Sequence, residues 1–225
     1  MFKRSSYLAA AAVSLLVGAT AVQAADAEDG GFQAGSILVR ARALGVIPDV
    51  SNTPKSSLAS AVGGTVDITD NWVPELDASY FFTPNIAVEA IAGVTYHDVK
   101  LKNSAVGDVP LGSTRLLPPT ITAQWHFLPT EKFNPYVGAG INYTFFYDQH
   151  GGPLSVSTHY DDGVGAALQL GADYNIAGNW YANVDVKKLF LSTNAHIVTV
   201  LSPASVTQRV DIDPWLVGVG IGYRF

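Results

Sequence analysis

Apolar residues recur at every second position over long segments of this chain, and this period constrains the fold more than any other feature. In "DPWLVGVGIGYRF" (213–225), Trp215, Val217 and Val219 alternate with leucine and glycine, and "YVGAGINYTFFYD" (136–148) repeats the pattern. Consecutive side chains of a strand point to opposite faces, so each segment has one apolar face and one small or polar face. The period predicts a chain made mainly of strands.

Eight segments follow this pattern, and the connections between them alternate in length. The predicted strands are residues 32–44, 68–82, 85–98, 113–128, 134–148, 161–176, 179–193 and 208–225. Short turns are predicted at 83–85, 129–133 and 177–178, and long connections at 45–67, 99–112, 149–160 and 194–207. An even number of long strands, with short turns on one side and long loops on the other, is typical of a transmembrane barrel. Both termini then lie on the side of the short turns.

The composition of the second face indicates which way the apolar face points. In a soluble sandwich the apolar face points inward, and this second face needs charge for solubility. Glycine, Thr, Asn and Gln predominate on it instead, and such side chains fit the crowded interior of a small barrel. The sequence therefore predicts an all-β fold, an eight-stranded antiparallel transmembrane β-barrel. A secreted lipocalin-like barrel, which also has eight strands, is the alternative.

The N-terminal segment has the features of a secretory signal. Lys3 and Arg4 precede the apolar residues 8–21, and Val22-Gln23-Ala24 supplies small residues for cleavage. We predict a cleaved signal peptide at 1–24 and a single outer-membrane barrel domain at 25–225; an uncleaved membrane anchor is the alternative. The net charge of −6 argues against a nucleic-acid partner, and the absence of cysteine excludes disulfides and thiolate sites.

Three long motifs carry a resemblance to a known family. "RLLPPTITAQWHF" (115–127), "KFNPYVGAGINYTFFYD" (132–148) and "DPWLVGVGIGYRF" (213–225) resemble the outer membrane protein W (OmpW) family, and the likeness runs from about residue 32 to the last residue. The resemblance implies a Gram-negative outer-membrane barrel with periplasmic termini. It also implies a narrow channel that admits small hydrophobic molecules and releases them sideways into the membrane. The terminal Phe225 resembles the signal by which the outer-membrane assembly machinery recognises such barrels.

Charged residues in the first three predicted strands share the inward register. Arg40 and Arg42 lie on the first strand, and Glu75, Asp77 and Glu89 lie at similar distances from the short turns. An unpaired charge inside the barrel would cost several kcal/mol, so these residues are expected to neutralise each other. Such an internal charge layer would close the lumen to water.

Towards the long loops the inward residues become apolar. The residues predicted to line an apolar upper lumen are Leu38, Leu116, Pro118, Phe146 and Leu216. They form the wall of a dry channel on one interpretation, and on the other they only fill the barrel.

Three prolines interrupt predicted strands. Pro74, Pro118 and Pro119 cannot donate a backbone hydrogen bond, although every backbone group in a membrane barrel must be satisfied. They predict a lateral opening in the wall, and a bulge or a simple strand end is the alternative.

Catalytic and metal-binding patterns are weak. The five histidines show no metal-ligand spacing, although "HYDD" (159–162) has the groups to hold a cation. Ser and His occur together in "SVSTH" (155–159), but no nucleophile elbow or paired carboxylate is present. We therefore predict no enzyme, no cofactor and no metal. The predicted function is a porin-like channel for passive uptake of small hydrophobic molecules, with outer-membrane lipids and these solutes as partners. A structural or surface-recognition barrel is the alternative.

Overall fold

The structure, a computed structural model, describes most of the chain beyond its N-terminus. The described residues are 31–49, 65–105, 107–152, 155–199 and 202–225. The predicted signal peptide, 1–24, lies outside them. Within these ranges no helix has the length and apolarity needed to cross a membrane.

The described residues form strands almost throughout. The strands are β1 (Ile37–Ile47), β2 (Thr65–Ile68), β3 (Asn71–Phe81), β4 (Ile86–Gly93), β5 (Thr95–Ser104), β6 (Gly107–Leu117), β7 (Thr120–His126), β8 (Phe133–Gly151), β9 (Ser155–Tyr160), β10 (Gly163–Ala177), β11 (Trp180–Phe190), β12 (Ser192–Thr199), β13 (Ser202–Asp211) and β14 (Trp215–Arg224).

Eight of these strands close into an antiparallel barrel, which confirms the predicted fold. Their order around the barrel is β1, β3, β4, β7, β8, β10, β11 and β14, and β14 pairs with β1 to complete the ring. The start of β1 and the residue after β14 meet at the short-turn end, where Ile37 and Phe225 exchange backbone hydrogen bonds of 3.3 and 2.8 Å.

The period of two separates an apolar exterior from a polar interior. In β8, Ile141 is 65% exposed on the outside, whereas its neighbour Asn142 is 1% exposed inside. In β14, Val219 and Ile221 point outward, and Gly218 and Gly222 are buried between the strands and the luminal side chains. This is the orientation that lipid requires.

The long connections are more regular than predicted. Residues 99–112 belong largely to a hairpin of β5 and β6, and residues 194–207 belong largely to a hairpin of β12 and β13. The second hairpin joins β9, which takes up residues 155–160 of the predicted loop 149–160, in a three-stranded sheet. Continuing the strands past the barrel pairs backbone groups that an irregular loop would leave to water.

The N-terminal end of the predicted first strand is also different. Residues 32–36 are not strand, and Phe32 instead enters the short-turn end of the barrel, where it is 1% exposed. Its ring stacks on Phe81 at 4.3 Å and on Tyr181 at 4.9 Å between centroids. The segment closes the lumen at this end because its aromatic ring fills the space between opposite walls.

Candidate functional site: the charge layer and the cavity above it

A cluster of ion pairs crosses the lumen at mid-height, with Arg40 at its centre. Arg40 lies 2.7 Å from Asp77, 2.8 Å from Glu89 and 3.2 Å from Asp173, and all four side chains are fully buried. Arg40 faces Asp77 directly in the β1–β3 register. The ion pair with Asp77 therefore follows from strand pairing, while Glu89 and Asp173 reach Arg40 across the lumen.

The second arginine and a lysine extend this cluster. Arg42 faces Glu75 in the same register and lies 3.2 Å from it, and it reaches Asp185 at 3.3 Å. Lys187 lies 2.5 Å from Asp185 and 3.3 Å from Glu89. The structure thus brings the five predicted residues together and adds three. The charge layer consists of Arg40, Arg42, Glu75, Asp77, Glu89, Asp173, Asp185 and Lys187.

Neutral side chains form hydrogen bonds with the charge layer and extend into the lumen below it. Gln169 donates to Glu89 at 3.0 Å and to Asp185 at 2.7 Å, and Gln124 also donates to Glu89. Asn134 donates to Nδ1 of His126 at 2.8 Å, so the ring proton is on Nε2, which faces the Gln124 carbonyl oxygen at 3.2 Å. A continuous hydrogen-bonded network therefore fills the barrel from the charge layer towards the short turns.

An apolar cavity lies on the other side of the charge layer. The empty space between its walls is about 630 Å³, a figure that includes space open to solvent. We call it the upper cavity; it is lined by Leu44, Val46, Pro48, Glu75, Ile91, Gly93, Thr95, His97, Leu116, Pro118, Thr120, Thr144, Leu189, Leu191, Ile212, Pro214 and Leu216. Glu75 belongs to both the cavity and the charge layer, so the charge layer forms the cavity floor.

Four of the five predicted channel residues lie on this side of the charge layer. Leu116, Pro118 and Leu216 line the upper cavity, and Phe146 packs in one buried cluster with Leu116. Leu38 does not, and its predicted place needs correction: it packs with Phe32 and Phe81 near the short turns. The period of two assigned Leu38 to the correct face, and its height follows from the chain order: Leu38 precedes Arg40 on β1 and so lies nearer the short turns.

The strand pairing is interrupted beside the cavity. The β4–β7 ladder ends where Ile91 faces Thr120, and the β5–β6 ladder begins where Thr95 faces Leu116. Residues 92–94 and 117–119, which we call the side gap, have no ladder partners across this boundary. Three residues correspond to roughly 10 Å along a strand.

The predicted prolines border this gap. Pro118 and Pro119 belong to it, and a Cβ atom added at Gly93 would lie 3.8 Å from the carbonyl oxygen of Pro74. The β3–β4 ladder ends one residue from Pro74, at Glu75 and Gly93. All three prolines therefore lie where strand pairing stops.

Several cavity residues were missed by sequence reasoning. Leu189 and Leu191 follow Lys187 at alternate positions and share its inward face, so the period was sufficient to find them. Ile212 and Pro214 follow a strand break, where the period is lost, and Gly93 has no side chain to indicate a role.

His159 and His196 face each other across β9 and β12, outside the barrel. Within the described ranges no group of three His, Cys, Asp or Glu side chains is arranged to hold an ion. His196 lies 2.9 Å from Thr207 and 3.1 Å from Asp161, and its hydrogen bond keeps the pKa of the Asp161 carboxyl below its usual range. His196 and Thr207 are cross-strand partners of β12 and β13, so sheet pairing accounts for their contact.

Comparison with known proteins identifies the family to which this architecture belongs. A sequence model of the OmpW family matches residues 33–225. The chain belongs to the OmpW family. Outer membrane protein W of Escherichia coli is 36% identical over 199 residues, which cover 86% of this chain and 90% of that protein. This OmpW-family protein is accordingly a Gram-negative outer-membrane barrel.

Two further relatives and one solved structure support this placement. The uncharacterized outer-membrane protein y4mB of Sinorhizobium fredii is 46% identical over 188 residues, 83% of this chain and 79% of the relative. The dibenzothiophene metabolism operon protein PahQ of Pseudomonas aeruginosa is 29% identical over 163 residues, 72% of this chain and 76% of the relative. The crystal structure of the outer membrane protein OprG from Pseudomonas aeruginosa superposes with a TM-score of 0.77 at 27% identity, covering 88% of this chain and 99% of that one.

Proposed function

We propose that this barrel takes up small hydrophobic molecules passively and releases them sideways into the outer membrane. The observation that carries the proposal is an apolar cavity with a charged floor and an interrupted wall. A solute that enters the upper cavity meets the charge layer below it and the side gap beside it.

The charge layer opposes passage straight through the barrel. Its side chains are bonded to one another and to Gln124 and Gln169, and the lumen beneath contains Phe32, Phe81 and Tyr181 in contact. An apolar molecule in this layer would separate buried charges without replacing their partners, which costs several kcal/mol. Exit through the bottom is therefore unfavourable.

The side gap offers the lower barrier. Lipid chains are as apolar as the cavity wall, so a solute that moves between them keeps the free energy it gained on leaving water, roughly 25 cal/mol per Å² of apolar surface. Gly93, Pro118 and Ile91 line the cavity at the edge of this gap. Uptake then needs no energy source, because the solute moves down its concentration gradient.

A relative's name supports the solute class. PahQ is named for a dibenzothiophene metabolism operon, and dibenzothiophene is a flat apolar aromatic molecule. We propose solutes of comparable character for this chain, and no enzymatic role.

The C-terminal strand has a separate proposed partner. Phe225 follows β14 and is 68% exposed on the barrel exterior, next to Tyr223. We propose that the assembly machinery of the outer membrane recognises this strand end.

Filling the cavity tests the transport proposal. Gly93 points inward, its φ suits any residue, and a Cβ atom there meets only the Pro74 oxygen at 3.8 Å. Gly93→Phe should therefore fold and lower the initial rate of naphthalene uptake into Gram-negative cells several-fold, because the ring occupies the cavity beside the side gap. Ala90→Phe, exposed on the lipid side of the same strand, is the matched control and should leave uptake unchanged.

Heat-modified gel mobility reports whether each variant is folded. A folded Gly93→Phe barrel with unaltered uptake would contradict the channel and favour the structural-barrel interpretation. Leu116→Asp, which places a charge in the cavity wall, should reduce uptake as well.

A further inference from the structure

The upper cavity has a single acidic side chain in its mostly apolar lining. Glu75 is 3% exposed, and its Oε1 atom accepts no hydrogen bond from the described part of the chain. Arg42 Nε lies 3.2 Å from that oxygen, but it donates to Asp77 at 2.7 Å instead. A buried carboxylate oxygen without a donor is costly, so a ligand that brings a donor to the cavity floor would relieve this cost.

Other polar groups of the lining also present acceptors. The hydroxyl of Thr144 donates to Asn142 at 2.7 Å, which leaves its oxygen lone pairs free; that of Thr120 donates to the Pro118 carbonyl at 3.1 Å and already accepts from Asn142 at 2.9 Å, so one lone pair remains. Nδ1 of His97 lies 2.8 Å from the Thr69 carbonyl and must carry the proton, so Nε2 of the neutral ring is an acceptor. The hydroxyl of Thr95 is able to act as a donor or as an acceptor.

The charge balance of the floor favours the same ligands. The charge layer contains five carboxylates and only three cationic side chains. A further anion beside it would be repelled in a region of low dielectric constant, whereas a cation would offset the excess.

We infer that the floor of the upper cavity is a subsite for a hydrogen-bond donor, with Glu75 as the acceptor. The cavity takes apolar molecules that carry one ammonium or hydroxyl group, the ammonium most tightly, and it discriminates against carboxylates. This subsite rests on the proposed function, because it assumes that solutes occupy the cavity.

Four naphthalene derivatives of similar size test the subsite. They are 2-ethylnaphthalene, 2-(2-naphthyl)ethanol, 2-(2-naphthyl)ethylammonium and 2-naphthylacetate. Binding is measured by calorimetry with the barrel in phosphatidylcholine nanodiscs, and empty nanodiscs correct for partition into lipid. The unmodified protein should bind the ammonium probe about ten-fold or more tightly than the acetate, because the bond to Glu75 is charge-assisted.

Glu75→Gln should remove the preference for the ammonium probe and leave the affinity for 2-ethylnaphthalene within two-fold. Glu131→Gln, an exposed glutamate of a short turn, is the matched control and should change neither. If Glu75→Gln does not fold, the series on the unmodified protein still decides the question.

The outcomes separate the two proposals. If 2-ethylnaphthalene binds but the other three probes bind equally, or the acetate binds best, the donor subsite is overturned and the apolar cavity stands. If no probe binds above the level of empty nanodiscs, both proposals fail.

Discussion

The inward-facing residues fill the lower half of the lumen but leave a cavity in the upper half. Below and within the charge layer, the space is filled by paired charges, amides and a stack of aromatic rings around Phe32. Above it, Leu44, Leu189 and Leu216 surround empty space, and the β4–β7 pairing stops. An eight-stranded barrel has just enough side chains to fill its interior, so a cavity exists where the filling is incomplete. The difference indicates that the lower half is packed for stability, and the proposed solute site lies in the upper half.

The largest expected effect comes from removing the central cation of the lower half. Arg40→Met leaves Asp173 buried without a cation within ion-pair distance and weakens the hold on Asp77 and Glu89. We expect the free energy of unfolding to fall by about 3–5 kcal/mol, because an uncompensated buried charge remains. The free energy of unfolding is measured by urea titration in lipid vesicles, with tryptophan fluorescence as the signal.

The matched control is an arginine outside the barrel. Arg209 pairs with Asp211 at 3.1 Å, and its side chain is 68% exposed. Arg209→Met should cost less than about 1 kcal/mol, since water screens such pairs. Equal losses in the two variants would contradict the view that the charge layer is a buried stabilising unit.

A pair of identical truncations compares the halves directly. Leu38 is 0% exposed and enclosed by Phe32 and Phe81, whereas Leu216 is 7% exposed and borders the upper cavity. Leu38→Ala should cost about 4 kcal/mol and Leu216→Ala about 2 kcal/mol, the upper and lower parts of the range for leucine truncation. The smaller loss is expected because one side of Leu216 already lacks contacts.

The same urea titration measures both variants, and their difference matters more than either value. If Leu216→Ala is the more destabilising change, the upper cavity is packed more completely than its empty space indicates, and the comparison between the halves fails.

The features that the sequence predicts correctly, the face and the cross-strand neighbours of a residue, are those that strand geometry determines. The period of two places Arg40, Asp77 and Leu116 on the correct face, and counting from the short turns brings Arg40 level with Asp77. This succeeds because antiparallel pairing fixes which residues are opposite. The resemblance to the OmpW family additionally predicts that the barrel lies in the outer membrane.

Other features do not follow from the period. Leu38 was assigned to the wrong half, although it precedes Arg40 on β1 and therefore lies nearer the short turns than the charge layer. Phe32 fills the lower lumen from a segment that is not a strand. The pairing of Asp173 and Asp185 with the arginines crosses the lumen, and a pattern read along one strand contains no information about such contacts.

The smallest expected effect on stability lies outside both halves, at the chain end. Phe225 contacts Tyr223 edge to face at 4.9 Å and otherwise faces the exterior, so Phe225→Ala should lower the unfolding free energy by less than about 1 kcal/mol. If the strand end is recognised during assembly, the same variant should nevertheless markedly lower the amount of folded barrel in the outer membrane, measured by heat-modified mobility of membrane fractions. Phe133→Ala removes another exposed aromatic ring, 53% exposed at the start of β8, and should leave that amount unchanged.

Assembly would then be separable from stability, because Arg40→Met reduces the folded fraction through unfolding and Phe225→Ala reduces it through delivery to the membrane. Normal amounts of folded Phe225→Ala barrel in cells would contradict recognition of the Phe225 ring during assembly and leave that ring with its modest contact to Tyr223.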